Sequence, residues 1–118
     1  NFVYEGKAID YTNSTGTDIA SGDVVSFGNQ IGIALVAIAN GASGSLAIEG
    51  VFNLPKVSGA VIGQGESVIF DVSAAEFDDN QATPATGDVS GCCIATTGAG
   101  NGDTTIDIKL NIGVGVVA

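Results

Sequence analysis

The sequence contains no histidine, arginine, methionine or tryptophan, and only two prolines and two cysteines in 118 residues. Each absence removes a class of chemistry. Without histidine the commonest general base and metal ligand are missing, so neither a Ser–His–Asp triad nor a Cys–His pair can be assembled. Without arginine there is no bidentate clamp for carboxylate or phosphate. Three lysines stand against 13 acids, giving a formal charge of −10 at pH 7. Nucleic acids and anionic membranes repel such a chain, because binding them needs cations that displace phosphate counterions. Lys7, in "YEGKAI", lacks both the glycine-rich lead-in and the following Ser or Thr of a phosphate loop. No apolar run reaches the roughly 18–20 residues that a membrane-spanning helix needs. Cys92 and Cys93 are neighbours. A bridge between adjacent residues is strained, so they read as two small, buried, reduced side chains made in a reducing compartment.

What is present points to strands. Val and Ile together number 25 against four Leu, and 18 glycines punctuate the chain. β-Branched residues lose freedom in a helix and pack well on a pleated surface, and glycines supply the turns between. The expected strands are an N-terminal arm and first strand over 1–13, with Ile9 and Tyr11 on one face, then 23–27 and a fully apolar run over 30–38. Further expected strands are an alternating run over 45–55 bent at Gly50, then 66–72, 89–97 and 104–117. In the last, Ile106, Ile108, Leu110, Ile112, Val114 and Val116 share one face. Residues 73–88 read as an exposed acidic excursion. The expected core comprises Val25, Phe27, Ile33, Leu46, Ile48, Phe52, Ile69, Ile94, Ile106, Ile108 and Leu110. The fold class is all-β: one domain over 1–118, a small antiparallel β-sandwich or barrel with an extended N-terminal arm.

One phrase is written twice. "SGDVVSFG" (21–28) leads to an apolar strand, a glycine turn and an alternating strand. "QGESVIF" (64–70) leads to the same series, with the acidic excursion inserted. Residues 22–49 and 65–108 therefore read as two copies of one unit. The competing reading is that β proteins re-use glycine–acid turns, which need positive φ or a local side-chain hydrogen bond.

The acids offer two weak chemistries. Glu49, Glu66 and Asp71 are candidates for a carboxylate pair acting on a glycoside, which requires two acids about 5–10 Å apart across one cleft. Solvated faces and turn capping explain them more simply. Glu76, Asp78, Asp79 and Asp88 could supply oxygen ligands to Ca²⁺, but their spacing fits no EF-hand loop. The expectation is no catalytic residue, no metal and no cofactor. For Lys7, Lys56 and Lys109 the expectation is solubility and local pairing.

Several phrases together carry a resemblance: "NFVYEGKAIDYTN", "IASGDVV", "IGIA", "GSLAIEGVFNLPK" (44–56), "GQGESVIFD" and "TIDIKL". Over about Asn1 to Leu110 the chain resembles the capsid cement, or decoration, proteins of tailed phages. Members are sometimes labelled recombinase-like, but neither a nucleotide loop nor a basic patch supports that label here. The resemblance implies a structural protein of the virion, made in the bacterial host cytoplasm. It would bind the outer surface of an icosahedral capsid as a homotrimer and stabilise contacts between major capsid protein subunits. The implied partners are the major capsid protein and other copies of the chain, with no nucleic acid and no membrane. Strand addition at a free edge would suit this role, which makes Phe2, Val3, Tyr4, Ile9 and Tyr11 the capsid-contact candidates. The alternative is a non-catalytic surface-binding module such as a fibre, adhesin or carbohydrate-binding domain, using Tyr4, Tyr11 and Phe77 as exposed aromatics.

Overall fold

Short β-branched runs between glycine turns produce, among the described residues, ten strands and no helix. The computed structural model describes residues 4–118. The strands are β1 (Ala8–Thr12), β2 (Val24–Phe27), β3 (Gln30–Ala34), β4 (Ser43–Ala47), β5 (Val51–Pro55), β6 (Ser67–Asp71), β7 (Glu76–Asp79), β8 (Val89–Ala95), β9 (Thr105–Lys109) and β10 (Val116–Val117). They form two antiparallel sheets. The first has the order β1-β4-β3-β2; the second has the order β5-β9-β8-β6-β7, with β10 also paired to β8. A parallel bridge between Lys56 and Phe77 links the end of β5 to β7, so the second sheet curls into a half-barrel.

The strand orders match one for one: β1 with β5, β4 with β9, β3 with β8 and β2 with β6. The match extends to individual hydrogen bonds. Before β2, Asp23 Oδ2 accepts from Ala20 N–H at 2.9 Å; before β6, Glu66 Oε2 accepts from Gly63 N–H at 3.0 Å. Gly22 N–H donates to Ala34 O at 2.7 Å, and Gly65 N–H donates to Ala95 O at 2.8 Å. Both glycines have positive φ, 90° and 83°, a conformation that side-chain-bearing residues resist. A two-way bridge joins Ile19 to Ile38 in the first half and Ile62 to Ala99 in the second. The largest difference is β7, which has no counterpart in the first half: there β2 returns directly as β3 through Gly28 and Asn29.

Each half also buries one polar side chain at the same place, just after its first strand. Asn13 is fully buried, and its Nδ2 donates to Thr17 O at 2.8 Å and Ile38 O at 2.9 Å. Lys56 is 1 % exposed, and its Nζ donates to Val57 O at 2.7 Å, Ser58 O at 3.4 Å and Asp103 O at 3.0 Å. Buried polar groups are tolerable only when so satisfied, and these two tie the strand end to the glycine turn facing it. Lys56 is therefore a structural hub, contrary to the expected solvated role.

The main core gathers Ile31, Ile33 and Ala47 of the first sheet with Leu54, Val68, Phe70, Phe77, Val89, Ile106 and Ile108 of the second. A smaller cluster lies within the first half: Ile19, Val25, Ala34, Ile38 and Leu46, flanked by half-buried Ile9, Tyr11, Phe27 and Ile48. Of the expected core, Val25, Ile33, Leu46, Ile69, Ile106, Ile108 and Leu110 are buried, whereas Phe27, Ile48, Phe52 and Ile94 are half-buried.

Four expected elements are corrected. The 30–38 run ends at Ala34, because Leu35 and Val36 turn out to solvent at 49 % and 50 % exposure. The 45–55 run is two strands in different sheets, and Gly50, at φ 118°, makes the crossing. The acidic excursion contains β7, whose Phe77 is buried against Phe70 with ring centroids 5.1 Å apart. The 104–117 strand ends at Lys109, because Asn111 takes φ 52° and turns the chain away. Ile112, Val114 and Val116 are then exposed rather than aligned with Ile106 and Ile108.

That departure has a structural purpose. Asn111 accepts from Ile31 N–H at 3.0 Å and donates to Ile31 O at 2.7 Å and Ile48 O at 2.8 Å. Farther along, Asn29 and Gly115 exchange two bonds, Asn29 Nδ2 to Gly115 O at 2.7 Å and Gly115 N to Asn29 O at 3.0 Å. The tail thus clasps the first sheet to the second. A Cβ on Gly115 would lie 2.5 Å from Val89 Cγ1 and 2.9 Å from Asn29 O, so only glycine fits.

Candidate functional site

The most distinctive surface is the pair of uncovered strand edges of the first sheet. β1 is paired to β4 along its whole length, Ala8 with Ala47 through Thr12 with Ser43. The bonds Ile48 N–H to Lys7 O (3.0 Å) and Asn13 N–H to Ala42 O (2.8 Å) fix the phase of this ladder. Antiparallel bonding alternates, so the backbones of Ile9 and Tyr11 face β4. Those of Ala8, Asp10 and Thr12 face outward, and no hydrogen bond covers them among the described residues. At the other side of the sheet, Ala34 N–H donates to Asp23 O at 2.9 Å and Val25 stands opposite Gly32. The outward groups of β2 are therefore those of Val24 and Ser26.

The second sheet closes the edge equivalent to β2 and blocks the end of the edge equivalent to β1, where the outward backbones of Val51 and Asn53 stay uncovered among the described residues. β7 pairs with β6 over Val68–Asp71, Phe70 opposite Phe77. On the other side, Val57 N–H donates to Phe77 O at 2.9 Å just beyond the end of β5. Pro55, the last residue of β5, has no N–H to offer. Beside β2, where the first half has no such strand, lies a cleft of about 290 Å³. Its walls are Thr15, residues 17–19 and residues 23–26 on the first half, and Phe70, Val72 and Ala75 on the second.

The expected contact residues fall into three groups. Phe2 and Val3 lie outside the described residues. Tyr4 is 57 % exposed. Ile9 and Tyr11 are half-buried against the smaller cluster, with Tyr11 and Phe27 ring centroids 6.2 Å apart. They stabilise β1 in the sheet, and what β1 presents outward is its backbone. From Ala8 onward the expected N-terminal arm is the strand β1, paired to β4. A second apolar surface comprises Ile112, Val114, Val116 and Val117 of the tail.

A separate shallow cleft gathers Lys7, Glu49, Gly50 and Lys109. With Lys56 buried, Lys7 and Lys109 carry all the exposed lysine charge of the chain. Lys7 lies 3.5 Å from Glu5, both well exposed, a pair worth little in water.

The acids are not brought together. Glu66 and Asp71 flank opposite ends of β6, and each caps its own turn; Glu49 lies in the turn before β5. The Ser73 hydroxyl at 2.7 Å, with the backbone N–H groups of Ala74 and Ser73, holds the Asp71 carboxyl below its ordinary range against the opposing effect of burial. Among the described residues no three metal-ligating side chains converge. Asp88, only 5 % exposed, accepts from Val72 N–H at 3.1 Å and Ala85 N–H at 2.9 Å, so it fastens the base of the excursion. Phe77, a candidate exposed aromatic, is 1 % exposed and belongs to the core.

Cys92 and Cys93 are both buried and unbridged, with sulfurs 3.2 Å apart. They share one hydrogen bond. It eases loss of the first proton, from Cys93, and together with burial it holds the Cys92 thiol far above its usual range.

Comparison with known families decides the class of protein that carries these edges. The model for the phage cement proteins matches residues 3–110. The chain belongs to the phage cement protein family. A search of the curated proteins returns no match. Family membership implies a structural, capsid-binding role in the virion, for which backbone edges and small apolar surfaces suffice. The match stops at residue 110, so the clasp residues Asn111 and Gly115 lie beyond it. The β2 cleft was not foreseen from the sequence. The available signal was that the acidic excursion is present in the second unit and missing from the first.

Proposed function

We propose that the chain acts on the outer surface of an icosahedral capsid as a homotrimer, where it stabilises contacts between neighbouring major capsid subunits. The observation that carries this reading is the family match over residues 3–110 together with an exposed, unpaired β1 edge. Strand addition to such an edge contributes main-chain hydrogen bonds with little demand on the partner's sequence. The principal contact is the N-terminal segment, residues 2–11, in which Tyr4 is exposed and Ala8 and Asp10 offer their backbones. A charge of −10 supports an outer location away from packaged DNA. We further propose that residues 1–118 form one domain descended from a duplicated unit. The shared bonds support a unit that also includes β1 and β5.

The test is binding to undecorated capsids of the same phage by the full chain, by a chain lacking residues 1–6, and by an Asp10→Pro variant, each first shown to be folded. Asp10→Pro removes an outward N–H without breaking a bond to β4. The expected result is weakened binding by both variants, by a factor that depends little on salt, because the N-terminal contact is not charge-driven. Equal binding by all three would remove the N-terminal segment as the anchor.

A further inference from the structure

We propose that the cleft beside β2 is a strand-acceptor site whose occupant is an extended, positively charged segment of the capsid protein. The segment adds to β2 and seats one large apolar side chain against Phe27. This inference rests on the cement reading above and names a second contact within it.

The second half of the molecule shows what the place holds when filled. There β7 lies antiparallel to β6, and its Phe77 packs on Phe70 and bonds to Val57 N–H. The counterparts of Phe70 and Val57 are Phe27 and Ser14. Ser14 is exposed, and no partner takes its N–H among the described residues. The difference in covering is visible in the side chains. Phe70, Leu54 and Leu110 are 3 %, 3 % and 2 % exposed, whereas their counterparts Phe27, Tyr11 and Ile48 remain half-buried. A strand laid along β2 would meet the outward groups of Val24 and Ser26 and complete the smaller cluster. It would thus bury apolar surface as well as form backbone bonds.

Charge selects the occupant. The cleft is lined by Asp18 and Asp23 and by no cation. Another copy of this chain, also at −10, is a poor source of a basic strand: its exposed lysines are Lys7, beside Glu5, and Lys109 within β9. A capsid segment with a basic residue beside a large apolar one satisfies both the acidic rim and the apolar floor formed by Ile19 and Val25.

The experiment uses the full chain, free and bound to undecorated capsids of its own phage, with amide hydrogen exchange resolved over residues 23–28. A Ser26→Pro variant is assayed for capsid affinity alongside. Ser26→Pro deletes an outward N–H and leaves the β2–β3 bonds in place. The expected results are protection of the outward Val24 and Ser26 amides only on the capsid and at least about a tenfold loss of affinity for Ser26→Pro. Unchanged exchange together with unchanged affinity would overturn the acceptor site while the cement reading stands. Failure of the unmodified chain to bind any such capsid would remove both. Protection already present in the free protein, and lost when residues 1–6 are deleted, would assign the cleft to the N-terminal segment of another copy and overturn the capsid segment as occupant. If Ser26→Pro does not fold, the exchange measurement on the unmodified chain decides alone.

Discussion

Among the described residues the first half of the molecule leaves two strand edges open, while the second half, built in the same strand order, closes one with an added hairpin and blocks the end of the other. The added strand β7 does three things at once. It pairs with β6, it bridges to the end of β5 through Phe77, and it lowers Phe70 and Leu54 to near-complete burial. Exposed edges are a hazard that proteins usually block. That one half blocks them and the other does not teaches that closure was within reach of this architecture. The open half is therefore the half with surface to offer a partner, and the closed half is the rigid base that presents it.

The comparison can be broken most strongly at Phe77. Phe77→Ala should destabilise the fold by about 3–5 kcal/mol, the usual cost of emptying a buried aromatic site, read as a shift in the urea midpoint. Phe27→Ala should cost distinctly less, since Phe27 is only half-buried. Equal losses would mean that β7 adds no extra burial. Next come the buried polar hubs. Lys56→Met removes three hydrogen bonds and leaves Asp103 O without its partner, while Val57 O and Ser58 O keep those from Ala60 and Gly102 N–H, and should cost about 1–3 kcal/mol. Asn13→Leu removes the bonds to Thr17 O and Ile38 O and leaves Thr15 N–H without its acceptor, and should cost about 1–3 kcal/mol, again by equilibrium unfolding. The clasp is the third target. Gly115→Ala forces a methyl into Val89 and Asn29 and should cost about 1–3 kcal/mol, with no loss of secondary structure by circular dichroism.

Smaller effects sharpen the likeness rather than break it. Asp23→Ala and Glu66→Ala each remove one turn-capping bond of nearly the same length. Each should cost about 0.5–1.5 kcal/mol, and the two losses should agree if the two turns are physically the same device. The smallest effect is at Asp71. Its carboxyl is held low chiefly by the Ser73 hydroxyl, so the ionised form favours folding. That contribution is complete above the unfolded-state pKa and is lost as pH falls through the lower folded-state value. Asp71→Asn should slightly lower stability at neutral pH and flatten the acid limb of the stability profile, the two proteins converging at low pH.

Strand content was legible because alternation and β-branched runs report directly on the pleat: Val25, Ile33, Leu46, Ile106 and Ile108 fall inward as their spacing requires. Strand ends were not, because they are set by partners distant in sequence. Nothing local to "NIGVGVV" signals that Asn111 leaves the ladder to bond Ile31, 80 residues earlier. The same holds for "ALVAI", where Leu35 and Val36 face solvent because the chain turns to meet Ile19. Lys56 and Phe77 were misjudged for a shared reason. A lone lysine and a phenylalanine among acids look solvated until a curled sheet folds over them. The open β1 edge was legible as strand-like alternation, although its partner β4 was not. The β2 cleft is defined by a strand that the first half does not contain, and such a vacancy is read only by comparison with the half that has it.

The tail clasp also sets a schedule. Ile31 N–H, Ile31 O and Ile48 O find their partner only at residue 111, and Asn29 finds its partner at Gly115, 86 residues away. Contacts so distant in sequence carry a large loop-closure cost and slow the search for the native state. During synthesis the first sheet can pair its strands early, yet it must wait with those backbone groups unsatisfied until the last residues of the second emerge. The seam between the halves is therefore the last part to form, and locking follows the length of chain delivered rather than the order in which strands appear.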